Sequence, residues 1–320
     1  TSVTVNIYAI GGATTTMEVS NAFPSIFAID EPGGFDESQI AIGASSSDAA
    51  TTTSIISNNK GYIVEADSAI YVALRMANTS QAGALVSKGG AALGTNFRIG
   101  AFTNYNSTSN YSSFLSVMAT ENATTISIND ILEGTDILDF DEQALGTDGT
   151  GYLNTINITL NRGESYTIVT RSDQGTDVLS NLEAASTQLT NSDGLIGTYV
   201  GSSKPVVVNC GSLNGSFGLG GARDFGFDQI VDFSKVGTEY VFVRGTGNDE
   251  WENVLLVAHT DNTEITINGS PISNALIHRK GVNVSNTYTP TLGNLSINAG
   301  DYFLIEGDLY GPDGNMYVQS

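Results

Sequence analysis

The sequence predicts an all-β protein built from internally repeated antiparallel units, set out as packed β-sandwiches or a propeller-like ring. Three observations predict it. Apolar and polar residues alternate in short stretches, Gly, Asn and Asp punctuate those stretches, and several of the stretches recur along the chain.

The alternation runs from end to end. Val3, Val5 and Ile7 open it, followed by Tyr62 and Val64, Ile126 and Ile128, Tyr166 and Ile168, Ile265 and Ile267, and Tyr302 with Leu304. A period of two with β-branched and aromatic residues marks half-buried strands. The only helical pattern, Asp177 to Leu189, is broken by Ser and Thr and reads as a loop helix at most.

Recurrence sets the organisation. ATENATTISIN, Ala119 to Asn129, matches AHTDNTEITIN, Ala258 to Asn268, with five of eleven positions identical. LGTNFRIG, Leu93 to Gly100, matches VGTEYVFV, Val236 to Val243, which sets Phe97 and Ile99 against Tyr240 and Phe242. LNRGESYTIV, Leu160 to Val169, matches INAGDYFLIE, Ile297 to Glu306, and NKGYIVEAD, Asn59 to Asp67, matches GDYFLIEGD, Gly300 to Asp308. A last strand recurs near Asp67, Ser202 and Asn315.

Each copy therefore reads strand, β-hairpin, strand, strand, with Asn or Asp in the tight turns at Thr120 to Thr124 and Thr260 to Thr263. The copies span residues 1–75 (incomplete in front), 76–210 and 211–320. A chain that begins and ends inside its pattern reads as an excised piece of something longer or as a closed structure whose ends pair. Strand exchange with a neighbouring chain is one way to complete an open copy.

Composition narrows the function. Of 320 residues, 34 are acidic and 12 basic, a net charge of -22, yet only 14% are charged and Gly, Ser, Thr and Asn abound. This is a secreted, β-rich composition. It argues against nucleic acid and against anionic membranes, which both require clustered Lys and Arg. No run has the length of a membrane span, so direct membrane insertion is not expected. Cys210 is the only cysteine and lies in the apolar run Val206 to Cys210, the place of a buried, inert thiol.

No catalytic constellation stands out, and the chain does not read as an enzyme. His259, at the repeat position of Thr120, suits an exposed strand site, and His278, before Arg279 and Lys280, a solvated loop. The glycine-rich run Gly211 to Asp228 has no phosphate-binding lysine motif and reads as a long surface loop carrying Phe217, Phe225 and Phe227. Nine Asn-x-Ser/Thr triplets, Asn157 among them, mark at most a glycosylated surface.

Two acidic clusters are the candidate sites. Asp136, Asp139, Asp141, Glu142 and Asp148 crowd one loop, and calcium is the one cofactor such a set of oxygens suits. The alternative is a solvated acidic loop, since the spacing departs from the calcium-loop pattern. Asn248, Asp249, Glu250 and Glu252 surround Trp251, the only tryptophan. Sugar stacking on that ring with hydrogen bonds from Asn248 and Asp249 is one reading, and a loop anchored by its aromatic is the other.

Four phrases in order and spacing, one of them a strand that follows a Gly turn, carry a resemblance. Gly237 to Val243 (GTEYVFV), Val257 to Gly269 (VAHTDNTEITING) and Gly197 to Gly211 (GTYVGSSKPVVVNCG) have weaker counterparts at Gly94 to Gly100, Met118 to Asn129 and Glu65 to Leu74. Together they resemble the amino-terminal domain of the IgG Fc-binding protein family. The resemblance implies a secreted or cell-surface binding module of the kind carried in large bacterial surface proteins, including those of gliding bacteria. The chain lacks the cysteines of animal members, so Fc itself is not carried over as the ligand. The expected role is cell adhesion, as a segment of a large adhesin or a subunit of a surface filament. Its partner would be a surface glycan, a protein ligand or neighbouring copies of itself. A calcium-dependent, lectin-like carbohydrate-binding domain is the alternative.

Overall fold

A computed structural model describes residues 2–29, 55–78, 81–100, 113–132, 135, 137, 155–170, 195–215, 224–249, 252, 254–271, 276–278, 296–305 and 307–320. The described residues form strands and short 3-10 turns, with no α-helix among them, and every strand pair is antiparallel.

The chain opens with β1 (Val3–Ala9), β2 (Thr14–Val19), β3 (Ile56–Ser57) and β4 (Tyr62–Ala66). The chain continues through β5 (Ala73–Asn78), β6 (Gln81–Val86), β7 (Gly94–Arg98), β8 (Ser113–Ala119), β9 (Thr124–Asn129), β10 (Ile156–Leu160), β11 (Ser165–Val169), β12 (Tyr199–Gly215) and β13 (Asp224–Ile230). It ends in β14 (Glu239–Val243), β15 (Val254–Val257), β16 (Thr263–Glu264), β17 (Thr266–Ile267), β18 (Ser270–Pro271), β19 (Leu276–His278), β20 (Ser296–Ile297), β21 (Tyr302–Ile305) and β22 (Asn315–Gln319).

β12 organises the largest sheet, whose order is β10-β9-β12-β8-β11-β3, with β7 and β13 also paired to β12. Its first residues pair with β7 and β9, and Val206–Ser212 pair with β8. Inward positions of these strands meet in one core: Phe97, Ile99, Leu115, Val117, Ile126, Ile128, Ile168, Val200, Val206 and Val208 are all buried. Burial of such side chains contributes roughly 1.5–3 kcal/mol each. A separate, smaller core gathers Val254, Ile265, Ile267, Ile297, Ile305, Met316 and Val318.

The repeat is visible in the backbone. Ala123 (φ 52°) and Asn262 (φ 57°) hold the same left-handed turn position, as do Gly163 (φ 83°) and Gly300 (φ 86°). Thr124 Oγ1 donates to Glu121 O at 2.8 Å, and Thr263 Oγ1 to Thr260 O at 2.8 Å. Gly163 N donates to Ala119 O and Gly300 N to Ala258 O, at 2.8 and 2.9 Å. In the first copy, Ile10 N bonds to Gly61 O as Ala258 N bonds to Asp301 O. That bond aligns Tyr62 with Tyr302, one residue out of step with the sequence match.

Several expectations need correction. The predicted hairpin at Ala119 to Asn129 is not one: β8 and β9 do not pair with each other but run end to end along β12, β9 against Tyr199–Ser202 and β8 against Val206–Ser212. Only β1 and β2 of the first copy pair directly across the corresponding turn. The glycine-rich run is not a long loop: Gly211–Gly215 complete β12 and Asp224–Ile230 pair with it as β13. Gly211 permits the approach, since a Cβ there would lie 2.0 Å from Gly226 O. Phe225 and Phe227 pack together at 4.9 Å between ring centroids, and Phe225 stacks on Phe114. His278 ends a strand paired with β21. The terminal strands are each paired on both sides, β1 by β2 and β4, and β22 by β14 and β17, which removes exchange of those strands with a neighbour. The helical pattern from Asp177 to Leu189 and Phe217 lie outside the described residues.

Candidate functional site

Three features of the described surface carry polar chemistry. The first is the loop after β14. Gly245 N and Gly247 N donate to the Glu252 carboxylate at 3.1 and 2.6 Å, and a Cβ on either glycine would crowd that carboxylate. Arg244 reaches Asp249 Oδ1 at 2.5 Å and the carbonyls of Gly247 and Gly307. Gly307 N closes the loop on Asp249 O at 2.8 Å, and Asn248 O accepts from Glu252 N.

The two amide donors hold the Glu252 carboxyl below the usual carboxylate range, against burial and with help from Arg244. Burial and the Glu252 charge push the Tyr310 phenol up, with Arg244 opposing. The loop therefore presents a fixed anion beside a cation. Asn248 and Asp249 are brought together here, whereas Glu250 and Trp251 lie outside the described residues. So do Asp136, Asp139, Asp141, Glu142 and Asp148. Among the described residues, no group of three or more His, Cys, Asp or Glu side chains converges to hold a metal ion.

The second feature is an open groove of about 520 Å³ on β9, β10 and β12, lined by Thr125, Ser127, Asn157, Thr159, Gly201 and Ser203 among others. Strand pairing sets Asn157, Ser127 and Gly201 in one row and Thr159 with Thr125 in the next. Ser203 Oγ accepts from Thr125 N at 2.9 Å, and Gly201 leaves room for the Tyr199 ring. The result is a flat face of hydroxyl and amide groups bordered by one aromatic ring.

The third joins β7 and β12 to the turns around β15. Arg98 pairs with Asp130 at 2.7 Å, donates to Gly197 O and lies 5.1 Å from the centroid of the Tyr199 ring. Tyr199 OH donates to Asn96 Oδ1 at 2.5 Å. His259 stacks on Phe233 at 3.5 Å and approaches Tyr199 at 6.1 Å. It is half-buried rather than the exposed strand residue expected, and its buried Nδ1 has no hydrogen-bond partner among the described residues. Burial and Arg98 push the imidazole below its ordinary pKa, with Asp232 opposing. The imidazole, stacked on Phe233 with the Tyr199 ring nearby, packs these elements together.

The family model described as IgGFc binding protein matches residues 82–305, more than two thirds of the chain. The chain belongs to the IgGFc binding protein family. This is a family of binding domains. No curated protein and no solved structure matches the chain. No helix among the described residues of this IgGFc binding family member is long and apolar enough to cross a membrane.

Sequence reasoning missed the Arg98–Tyr199–His259 cluster and the Arg244–Glu252 loop. A signal was present in the repeat itself: Arg98 stands where the third copy has Val241, and His259 where the second has Thr120. Departures between copies mark residues with a task the copies do not share.

Proposed function

We propose that this IgGFc binding family member is an extracellular adhesive module, a segment of a large bacterial cell-surface adhesin or a subunit of a surface filament. The observation that carries the reading is the family match over a body of successive β copies. Such a body suits the presentation of ligand contacts away from a surface. The acidic balance agrees, because it leaves protein and glycan as partners and disfavours nucleic acid.

A glycan is the ligand favoured by the groove face. Rows of Ser, Thr and Asn offer paired donors and acceptors to sugar hydroxyls, and Tyr199 borders them. Asn248, Asp249 and Trp251 are proposed as a second ligand contact, with calcium the cation that the Asp136 to Glu142 loop would recruit.

The test is adhesion of the intact chain to a glycan array and to immobilised cell-surface extract, with and without EDTA. Asn157→Arg with Thr159→Arg fills the groove with two long cations. The expected result is binding by the parent chain and a loss of about tenfold or more in the variant, equivalent to about 1.4 kcal/mol. Binding that EDTA abolishes selects the calcium-dependent lectin reading. A parent chain that binds neither surface overturns the adhesive reading.

A further inference from the structure

The junctions between copies follow one rule. At the second junction, the third copy presents Leu255, Val257, Gly300 and Tyr302. Leu255, Val257 and Tyr302 cluster with Ile196 of the middle copy, and Gly197 and Gly300 meet so closely that a Cβ on Gly197 would lie 2.0 Å from Gly300 O. At the first junction, the middle copy presents the corresponding residues Met118, Gly163 and Ser165. Met118 Sδ borders Gly61, Ile10 fills the space beside Gly163, and Ser165 pairs with Ser57. Both junctions therefore use the same front face of the copy that follows.

The back face that receives it can also be mapped. In the middle copy, Arg98 pairs with Tyr199 and Phe97 with Val200; in the third, Val241 pairs with Tyr317 and Tyr240 with Val318. Val200 and Val318 then pair with the repeated isoleucines Ile128 and Ile267. Arg98 thus corresponds to Val241 and Gly100 to Val243. In the middle copy this face is occupied: Leu255 and Val257 lie within 4 Å of where a Gly100 Cβ would stand. In the third copy it is open and apolar, with Val241 69% and Val243 80% exposed beside Val236 and Tyr240.

The front face of the first copy is apolar as well. Tyr62, the counterpart of Tyr302, is packed edge-on by Phe27, and the same segment leaves Phe23 76% and Ile26 89% exposed. We propose that the chain associates head to tail with a second copy of itself, the Val241–Val243 face of one receiving the Phe23–Tyr62 face of the next, as the second internal junction does. The inference rests on the adhesive-module reading and names its partner. The two faces differ, so the contact is heterologous and builds assemblies larger than a dimer, a ring where the rotation closes and a filament where it does not. Because each chain carries a net charge of -22, repulsion opposes the contact and salt favours it.

The experiment is sedimentation of the intact chain over a range of concentrations, at low salt and at about 1 M salt, where the Debye length falls to about 3 Å. Mass is expected to rise with concentration and with salt. Val241→Asp with Val243→Asp is expected to weaken self-association roughly 100-fold, since carboxylates would enter a dry contact. Both valines are exposed, so the thermal transition serves as the check that the variant folds. Phe23→Asp with Ile26→Asp blocks the other face. Mixing the two blocked variants is expected to give a dimer that grows no further, since each retains one intact face.

A chain that stays at single-chain mass under all conditions overturns the proposal, as does a Val241/Val243 variant that associates like its parent. A blocked mixture that remains monomeric overturns it too. These outcomes are separate from the adhesion assay: a monomer that still binds its surface leaves the adhesive reading standing and removes only this inference.

Discussion

Asp232 keeps its charge in a buried position because backbone amides do there what a cation would otherwise do. Only 6% exposed, it accepts from Thr95 N, Asn96 N, Ser234 N and Ser234 Oγ at 2.6–2.9 Å. Burial raises its pKa, and the hydrogen bonds outweigh burial, leaving it below the ordinary value. A Cβ on Gly94 would lie 2.1 Å from its Oδ2, so the glycine is part of the same arrangement. Asp232→Asn replaces one acceptor oxygen by an amine facing amide donors, and the expected cost is about 2 kcal/mol at neutral pH, read by urea unfolding. The sign with pH follows from the depressed value. The native state binds this proton less readily than the unfolded state, so the contribution is complete above the unfolded carboxylate pKa of about 3.9 and is lost as pH falls through the folded one. The gap between parent and variant should therefore close on acidification. A gap unchanged below that range would mean that the carboxylate is not the source of the stability. Cys210 is the opposite case: burial pushes its thiol up, and Sγ donates to Gly100 O at 2.6 Å, the inert role read from its apolar run.

Among the elements, the repeated turns are the most instructive. Ala123 and Asn262 occupy the same left-handed position, which costs an ordinary L-residue roughly 1–2 kcal/mol and Asn less. Ala123→Asn should therefore stabilise the chain by about 1 kcal/mol, and Asn262→Ala should destabilise the third copy by a similar amount, both measured by thermal unfolding. Equal effects of opposite sign would tie the difference to the turn; no change in either would mean that neighbouring contacts absorb the strain. These turns were legible because their chemistry is local, in Asn, Asp and Gly flanked by alternating Ile. The strand faces of β7, β9 and β11 were legible for the same reason. What lies between the strands was not. That β8 and β9 run end to end along β12 depends on pairing across some 80 residues, and a period of two is the same whichever strand supplies the partner. The glycine-rich run misled because Gly211 signals close backbone approach as readily as a loop, and only its distance to Gly226 decides. Of the loop after β14, Asn248 and Asp249 were singled out as neighbours of Trp251 in an acidic stretch, while Arg244 and Gly307 were not, since they meet only in the fold.

On the proposed division into three copies, the molecule is a series of units coupled through narrow junctions, and the strength of coupling decides how it unfolds. In such arrays stability is the sum of each unit's own term and its interface terms, and a unit with a small core depends on its neighbour. Among the described residues, the core around Val254 and Ile305 gathers eight buried residues against eighteen in the large sheet, and on the proposed division the second junction is expected to matter most to the third copy. Gly197→Ala is the direct probe: φ is 82°, and the added Cβ would strike Gly300 O. Calorimetry is expected to show one transition in the parent and two in the variant, with the third copy melting first. A single, uniformly lowered transition would mean that the copies unfold together without need of this contact. His259 makes the same junction sensitive to pH. Its pKa is lowered in the native state, so between that value and about 6.5 the unfolded chain takes up the proton first, and stability falls as pH drops through the window. His259→Phe keeps the ring against Phe233, removes a buried Nδ1 that has no partner among the described residues, and should abolish this component while leaving the carboxylate titrations intact. The difference between parent and variant, followed from pH 7 downward, isolates the junction from the general loss of negative repulsion that acidification brings to so acidic a chain. If parent and variant fall in parallel, the imidazole is not what couples the copies, and Gly197 with Gly300 carries the junction alone.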